Sequence, residues 1–439
     1  MTQPDTIAAI STPAGIGGIA VVRLSGPDAL AIATEHLRAG RATPLQLAPR
    51  HATYCRFDDL DDVVAIYYPR GYTGEPTVEI SCHGSLYVQQ ALLQALIQSG
   101  ARLAEAGEFT MRAFRNGRLN LSQAEAVADL IDAATPAQHR LAVSQLRGGY
   151  AAKLKELRQQ LLDLTSLMEL ELDFSQEDVE FADRGQLNQL LATLNSQLST
   201  LIDTFRIGNA LKRGIPVAII GKPNAGKSSL LNALLGDERA IVSDTPGTTR
   251  DTVEETLTIG GLTFRFIDTA GLRHSTDTVE ALGIERSLKA LAEADIVLYI
   301  HDGTTPFDPA DLESLDLTGK HVIMLCNKAD APSCVVPEGF VPLSARHGDG
   351  IEALKQAMLQ AVEPQTAQDV LLSNARHHAA LQQVQQALNH AAEGLDAGLP
   401  ADLLAVDLRD ALYHLGSITG EVVSNDILDN IFSRFCIGK

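Results

Sequence analysis

The stretch Gly221-Lys-Pro-Asn-Ala-Gly-Lys-Ser228 matches G-x-x-x-x-G-K-[ST] and follows the apolar run Ile215–Ile220. A buried strand that turns through two glycines into a helix restricts this part of the chain to an α/β layer carrying a phosphate-binding loop. Gly221 and Gly226 let backbone N–H groups turn inward, and the following helix N-terminus adds positive partial charge. Lys227 brings a full charge to the outer phosphates, and Ser228 offers a hydroxyl to Mg²⁺. Asn224, Ala225 and Ser229 complete the cradle. A nucleoside triphosphate is the implied ligand.

Three further segments follow in an order that gives each of them meaning. Asp268-Thr269-Ala270-Gly271 comes after the alternating run Phe264–Ile267, which puts Asp268 at a strand end within reach of a metal shell and Gly271 near a γ-phosphate. Alone, D-x-x-G reads as readily as a turn. Asn327-Lys328-Ala-Asp330 follows the apolar strand His321–Cys326 and sets a carboxylate where guanine presents two N–H donors. Adenine lacks that pair, so Asp330 predicts GTP over ATP. Ser344-Ala345-Arg346, after Phe340–Leu343, can supply a backbone N–H to the guanine O6. Between the P-loop and D-x-x-G lies Ser243-Asp244-Thr245-Pro-Gly-Thr248-Thr249-Arg-Asp251, where a switch segment belongs. Thr249 is the residue expected to close on Mg²⁺.

The surroundings limit what else the chain can be. With 439 residues it calls for about two to four domains. Its net charge of −20 lacks the basic footprint of a protein that grips nucleic acid alone. Five cysteines, at 55, 82, 326, 334 and 436, form no C-x-x-C pair and suit a reducing cytoplasm. The start lacks a basic leader region, and apolar runs fall well short of the roughly 20 residues that span a bilayer, so no membrane association is expected.

Texture divides the chain further. Residues 1–118 mix β-type runs (Gly18–Leu24, Asp62–Tyr68, Thr77–Cys82) with a helix from Leu86 to Ser99, an α+β domain. Residues 119–212 are helical, with Leu157, Leu161, Leu164 and Met168 on one face. Residues 213–370 alternate strand and helix, as a Ras-like GTPase domain requires, and 371–439 return to helix, with Leu381, Val384, Leu388 and Ala391 aligned. The reading is one all-α domain in two sequence pieces with the α/β domain inserted; two separate bundles are the alternative.

With Pro223-Asn224 inside the P-loop, the four motifs resemble the TRAFAC-class GTPases of the Era/Der/MnmE group. Leu272 stands where Ras-like enzymes place a water-orienting glutamine. The resemblance implies K⁺ held by Asn224, Ser243, Thr245 and Thr248, with Glu280 orienting water and Asp268 completing the catalytic set. Outside that block, Asp5-Thr-Ile-Ala, Pro13–Gly18, Val22–Gly26, Tyr72-Thr-Gly-Glu75, Cys82-His-Gly84, Ala106–Thr110, Asn116-Gly-Arg118-Leu and Phe435-Cys-Ile-Gly-Lys439 resemble the MnmE (TrmE) family over the whole chain.

That family implies a folate-binding N-terminal domain that also makes the homodimer, and a flavoprotein partner, MnmG, carrying FAD and NADH. It also implies aminomethyl or carboxymethylaminomethyl chemistry at C5 of a tRNA wobble uridine, fed by 5-formyl- or methylene-tetrahydrofolate. Arg23, Glu79, Arg118 and Lys439 match its folate contacts, Arg118 standing where lysine is usual, so a planar fork replaces a point charge. Cys436 becomes a candidate nucleophile or acid/base in a mobile tail, a quiet thiol being the alternative. A ribosome-assembly GTPase of the Era/Der type shares the four motifs, but it should carry a basic appendage, which the residues after Ala375 do not provide.

Overall fold

Period-two burial organises the N-terminal part. In β2 (Gly17–Ser25), Ala20, Val22 and Leu24 are buried while Val21 and Arg23 between them are only partly covered. β2 runs antiparallel to β1 (Ile7–Ile10) on one side and β7 (Thr77–Gly84) on the other. Around them lie β3 (Leu37–Ala39), β4 (Thr43–Pro44), β5 (Thr53–Phe57), β6 (Asp61–Tyr68) and β8 (Arg102–Leu103), in the order β4-β3-β5-β6-β7-β2-β1-β8. The computed structural model describes residues 5–39, 43–173, 184–236, 255–267, 289–313, 315–362, 370–433 and 435–439.

One face of this sheet is covered by α1 (Ala29–His36) and α2 (Leu86–Gln98), whose Ile32, Leu92 and Leu96 pack with Val22, Leu24, Val63, Val78 and Ile80. Each such side chain, fully removed from water, stabilises by about 1.5–3 kcal/mol. The opposite face is covered by α3 (Glu108–Arg115), through Phe109 against Ile7, Ala9 and Ala104. The three runs read from sequence are therefore part of an eight-stranded sheet, and the helix read with them packs on one of its faces.

The chain divides into two units: residues 1–131, 145–184 and 393–439 form one, residues 132–144 and 185–392 the other. Within the first, α4 (Leu121–Asp132) meets α14 (Asn425–Phe432) through Leu121, Ala124, Leu428 and Phe432. α6 (Gly149–Asp173) packs on α13 (Ala401–Thr419), burying Leu157, Leu161, Leu164 and Met168 on one and Leu404, Leu408 and Leu415 on the other. Arg158–Glu421 and Arg409–Glu169 ion pairs tie this helix pair together.

In the second unit, α5 (Pro136–Leu146), which crosses the boundary, lies near α8 (Phe205–Arg213): Gln138 Nε2 donates to the Lys212 carbonyl at 3.0 Å. α7 (Arg184–Asp203) is linked to α12 (Ala375–Asp396) by a Gln385–Ser199 hydrogen bond of 2.7 Å. Phe205 stacks on His378 at 4.0 Å between ring centres. The aligned residues Leu381, Val384, Leu388 and Ala391 are all buried.

The sheet of this unit runs β10-β11-β9-β12-β13-β14, with β9 (Ile215–Ile220) parallel to β11 (Leu262–Phe266) and to β12 (Ile296–Asp302). β13 (His321–Asn327) is parallel to β12 and to the two-residue β14 (Val341–Pro342), and only β10 (Glu255–Ile259) is antiparallel. Near-continuous burial of β9 and β12 is what a parallel sheet covered on both faces demands. Its faces are packed by α9 (Lys227–Leu235) and α11 (Ile351–Gln360) on one side, and on the other by Ala290 and Leu291, which precede β12, and by Leu312 of the short helix α10 (Ala310–Glu313). Among the described residues no helix is long and apolar enough to cross a membrane.

Candidate functional site

The P-loop leaves β9 and enters α9 through two left-handed residues, Asn224 (φ 62°) and Gly226 (φ 103°). At Gly226 the requirement is double, because a Cβ there would run into the Asn327 side-chain nitrogen as well as strain the backbone. Lys227 folds back so that Nζ donates to the carbonyls of Gly221 at 2.7 Å and Lys222 at 3.0 Å. Burial pushes its amine below the usual lysine value. A triphosphate in the loop would supply a counter-charge to this ammonium.

Asn327, 3% exposed at the end of β13, is the joint of the site. Its Nδ2 donates to the Ala225 carbonyl at 2.7 Å and its Oδ1 accepts from the Ala345 N–H at 3.0 Å. One amide thereby fixes the phosphate loop and the Ser344–Arg346 segment to the same strand end. Lys328 takes a left-handed φ of 62° and pairs with Asp302, the residue opposite Asn327 on β12.

Asp330 is held below the usual carboxylate range by a hydrogen bond from Ser344, with His347 and Arg346 adding positive charge nearby. It is thus ionised at neutral pH, with both oxygens ready to accept. Asn224, Gly226, Ser229, Asn327, Lys328, Asp330, Ser344, Ala345 and Arg346 line one cavity of about 670 Å³. That is room for a nucleotide. Asn232, Ala233 and Ala331 also line it, and Asp302 braces it. Sequence spacing did not single these out, because only the strand register brings Asp302 beside the N-K-x-D segment. Ser243, Asp244, Thr245, Thr248, Thr249, Asp268, Thr269, Ala270, Gly271, Leu272 and Glu280 lie outside the described residues.

The N-terminal unit holds a second polar centre. Arg23 on β2 faces Glu79 on β7 in register, and its Nε and Nη2 both reach Oε1 at 2.9 Å. Its guanidinium lies 5.7 Å from the Tyr72 ring centre and 5.6 Å from that of Phe109, a cation–π setting. The loop after Tyr72 joins this pair to Arg118: Asn116 Nδ2 donates to the Thr73 carbonyl at 2.8 Å, and Gly74 abuts the Arg118 side chain. Arg23, held by Glu79, and Arg118 thus meet the two ends of the Tyr72–Gly74 segment.

Gly438, between Cys436 and Lys439, lies against Ile10 and Ser11, which follow Ala9, the register partner of Arg23. There Ser11 Oγ donates to the Gly438 carbonyl at 3.1 Å and Ile437 bridges Ala106. Cys436 is exposed and lines a cavity of about 590 Å³ with Ala9, Thr12, Gln89 and Leu103. The tail is thus seated against its own unit. Among the described residues no cluster of His, Cys, Asp and Glu could hold a metal ion, which leaves His83 paired with Asp61 alone.

The parallel sheet, the P-loop and the Asn327–Asp330 pocket define a guanine-nucleotide-binding P-loop GTPase. A model of the TrmE N-terminus matches residues 6–118 and a model of the MnmE helical domain matches residues 121–436. The chain belongs to the MnmE (TrmE) family. It is 48% identical to the tRNA modification GTPase MnmE of Porphyromonas gingivalis, over 99% of this chain and 98% of that one. With the protein of the same description from Christiangramia forsetii it shares 44% over the full length of both. Among solved structures it is similar to the G domain of the T. maritima FeoB iron transporter, 27% identical over 34% of this chain and 98% of that one, with a TM-score of 0.26.

Proposed function

We propose that the chain is the GTP-hydrolysing, folate-binding half of an enzyme that modifies C5 of the wobble uridine in tRNA. The observation that carries this reading is the presence, in one chain, of the Asn327–Asp330 nucleotide cavity and of a second, thiol-bearing cavity whose lining residue Ala9 is the register partner of Arg23. A ribosome-assembly GTPase needs the first and has no use for the second.

In the nucleotide site the N–H groups at the start of α9 and the Lys227 ammonium would hold the phosphates, and Asp330 would select guanine. Ser228 and Thr249 are the residues for Mg²⁺, with Asp268 in its shell; the ion supplies charge neutralisation on the transferring phosphoryl group. Leu272 cannot orient a water molecule; the resemblance to the family gives that task to Glu280. Asn224, Ser243, Thr245 and Thr248 are the residues for a K⁺ that stands in for an arginine finger.

In the N-terminal site, Glu79 can accept from the adjacent N–H donors of a pterin as Asp330 does from guanine. Arg23, Arg118 and Lys439 offer cations to a folate carboxylate. Cys436 would act on the one-carbon unit of a 5-formyl- or methylene-tetrahydrofolate. The flavoprotein MnmG would contribute FAD, NADH and much of the tRNA surface, since a net charge of −20 opposes tight binding of phosphates by this chain alone. A homodimer through the N-terminal domain and a cytoplasmic setting complete the proposal.

The test is mass spectrometry of tRNA from cells lacking the protein. Wobble-uridine C5 modification should vanish, return with the wild-type chain, and stay absent with Asp268→Ala. Cys436→Ser should also fail to restore it; full restoration would remove the thiol from the chemistry. Normal modification in the deleted cells, with altered ribosomal subunit profiles, would establish the assembly reading instead.

A further inference from the structure

Two thiols stand next to the guanine-recognition segment. Cys326 is the last residue before Asn327 and is fully buried, while Cys334 ends the loop that carries Asp330 and is partly exposed. Their sulfurs are 3.9 Å apart. The approach is built into the backbone: Gly303, after β12, is wedged against both, and a Cβ at that position would come within 2.5 Å of Cys334 Sγ and 2.8 Å of Cys326 Sγ. Gly303 N–H donates to the Asn327 carbonyl at 2.9 Å, and Val335 N–H donates to the Gly303 carbonyl at 2.9 Å, so the loop is pinned on both sides of the pair.

We propose that Cys326 and Cys334 are a redox-modification site whose disulfide lowers guanine-nucleotide affinity. The chemistry needs a small disulfide oxidant such as glutathione disulfide. Cys334, the accessible thiol, attacks as thiolate; a bond forms between its Sγ and one glutathione sulfur, and the other glutathione leaves as a thiolate that takes up the proton. Cys326 then loses its proton to solvent and attacks Cys334 Sγ, expelling the second glutathione. Two electrons pass from the protein to the oxidant, and two thiols of glutathione are released.

Burial pushes the Cys326 thiol up to about 12, so the first attack on the oxidant falls to the more accessible Cys334. Closing the bond shortens the gap to about 2.05 Å. That movement draws on the residue bonded to Asn327 and on the loop bearing Asp330. Asn327 holds Ala225 and Ala345 together, so a small displacement there loosens phosphate and base contacts at once.

The effect on affinity rests on the guanine-binding reading; the crosslink itself does not. The full chain, reduced and then exposed to glutathione disulfide, is alkylated, digested without reductant and mapped by mass, while a fluorescent GDP analogue reports affinity. Expected is a peptide pair joined through Cys326 and Cys334, with GDP affinity at least tenfold lower and restored by dithiothreitol. Cys334→Ser should bind GDP like the wild type and be insensitive to the oxidant. Absence of the joined peptides, or their formation with unchanged affinity, overturns the proposal. Failure of the reduced protein to bind GDP at all would instead count against the nucleotide site.

Discussion

Asn327→Ala tests the central joint of the nucleotide site. Alanine leaves the Ala225 carbonyl and the Ala345 N–H, which the amide satisfies at 2.7 and 3.0 Å, without their partner. Each buried group so orphaned costs about 1–3 kcal/mol, about 2–6 together. Part of that falls on the free protein as lost stability. The rest falls on binding, because the ligand must then order two loops that Asn327 now holds. We expect GDP affinity to drop at least thirtyfold, about 2 kcal/mol, with a lower melting midpoint. Asn327→Asp refines the test: it can still accept from the Ala345 N–H but sets a carboxylate oxygen against the Ala225 carbonyl, so it should do no better than alanine. Titration of a fluorescent GDP analogue into the full chain, with thermal melts, provides both readings. Binding within threefold of wild type at an unchanged midpoint would refute the idea that one amide couples the two loops.

Asp330→Asn keeps one acceptor and replaces the other with a donor, the pattern that suits a base with a carbonyl in place of guanine's exocyclic amine. Competition should show xanthosine diphosphate preferred over GDP by at least tenfold, and a retained guanine preference would deny Asp330 its role. Glu108→Gln, in the first unit, removes the charge that faces Arg102 and Arg112, at 2.6 and 2.9 Å. With Arg102 half in water, the loss should be about 2 kcal/mol rather than the full cost of a buried pair. Burial pushes the Glu108 carboxyl up, but donors from Arg102, the Glu105 N–H and Arg112 together hold it below its ordinary 4.5. Its contribution is therefore complete above that value and fades as pH falls through the lower, folded-state one. Wild-type and Glu108→Gln melting curves should converge in acid, and a constant gap at every pH would contradict this. Replacing K⁺ by Na⁺ should slow GTP turnover at least tenfold in the wild type, and Asn224→Ala should erase the difference; equal rates in the two salts would dismiss the ion.

What could be read from the sequence was what is local in it. The P-loop, the N-K-x-D segment and the helix faces of residues 157–168 and 381–391 repeat at spacings set by backbone geometry, and each lies where its pattern implied. Asn327 was legible as a motif residue but not as a bridge, since its two partners are 102 and 18 residues away. Asp302 and the Tyr72–Phe109 platform beneath Arg23 were invisible for the same reason. The N-terminal sheet was under-read because β3, β4 and β8 are two or three residues long, too short to show alternation. Phe340–Leu343, expected as a strand, contributes only Val341–Pro342, its pairing confined to two positions on β13.

Strand β2 sends Val22 and Leu24 into the main core and Arg23 to the opposite face against Glu79. Neighbouring positions on this one strand therefore answer to different selective pressures. In a saturation library across Gly17–Ser25, changes at Ala20, Val22 and Leu24 should deplete the amount of protein in cells, while changes at Arg23 should leave abundance near normal and deplete modified tRNA. A library scored separately for abundance and for activity would show two interleaved combs, offset by one residue, and the pleat of the strand would be readable from the fitness data alone.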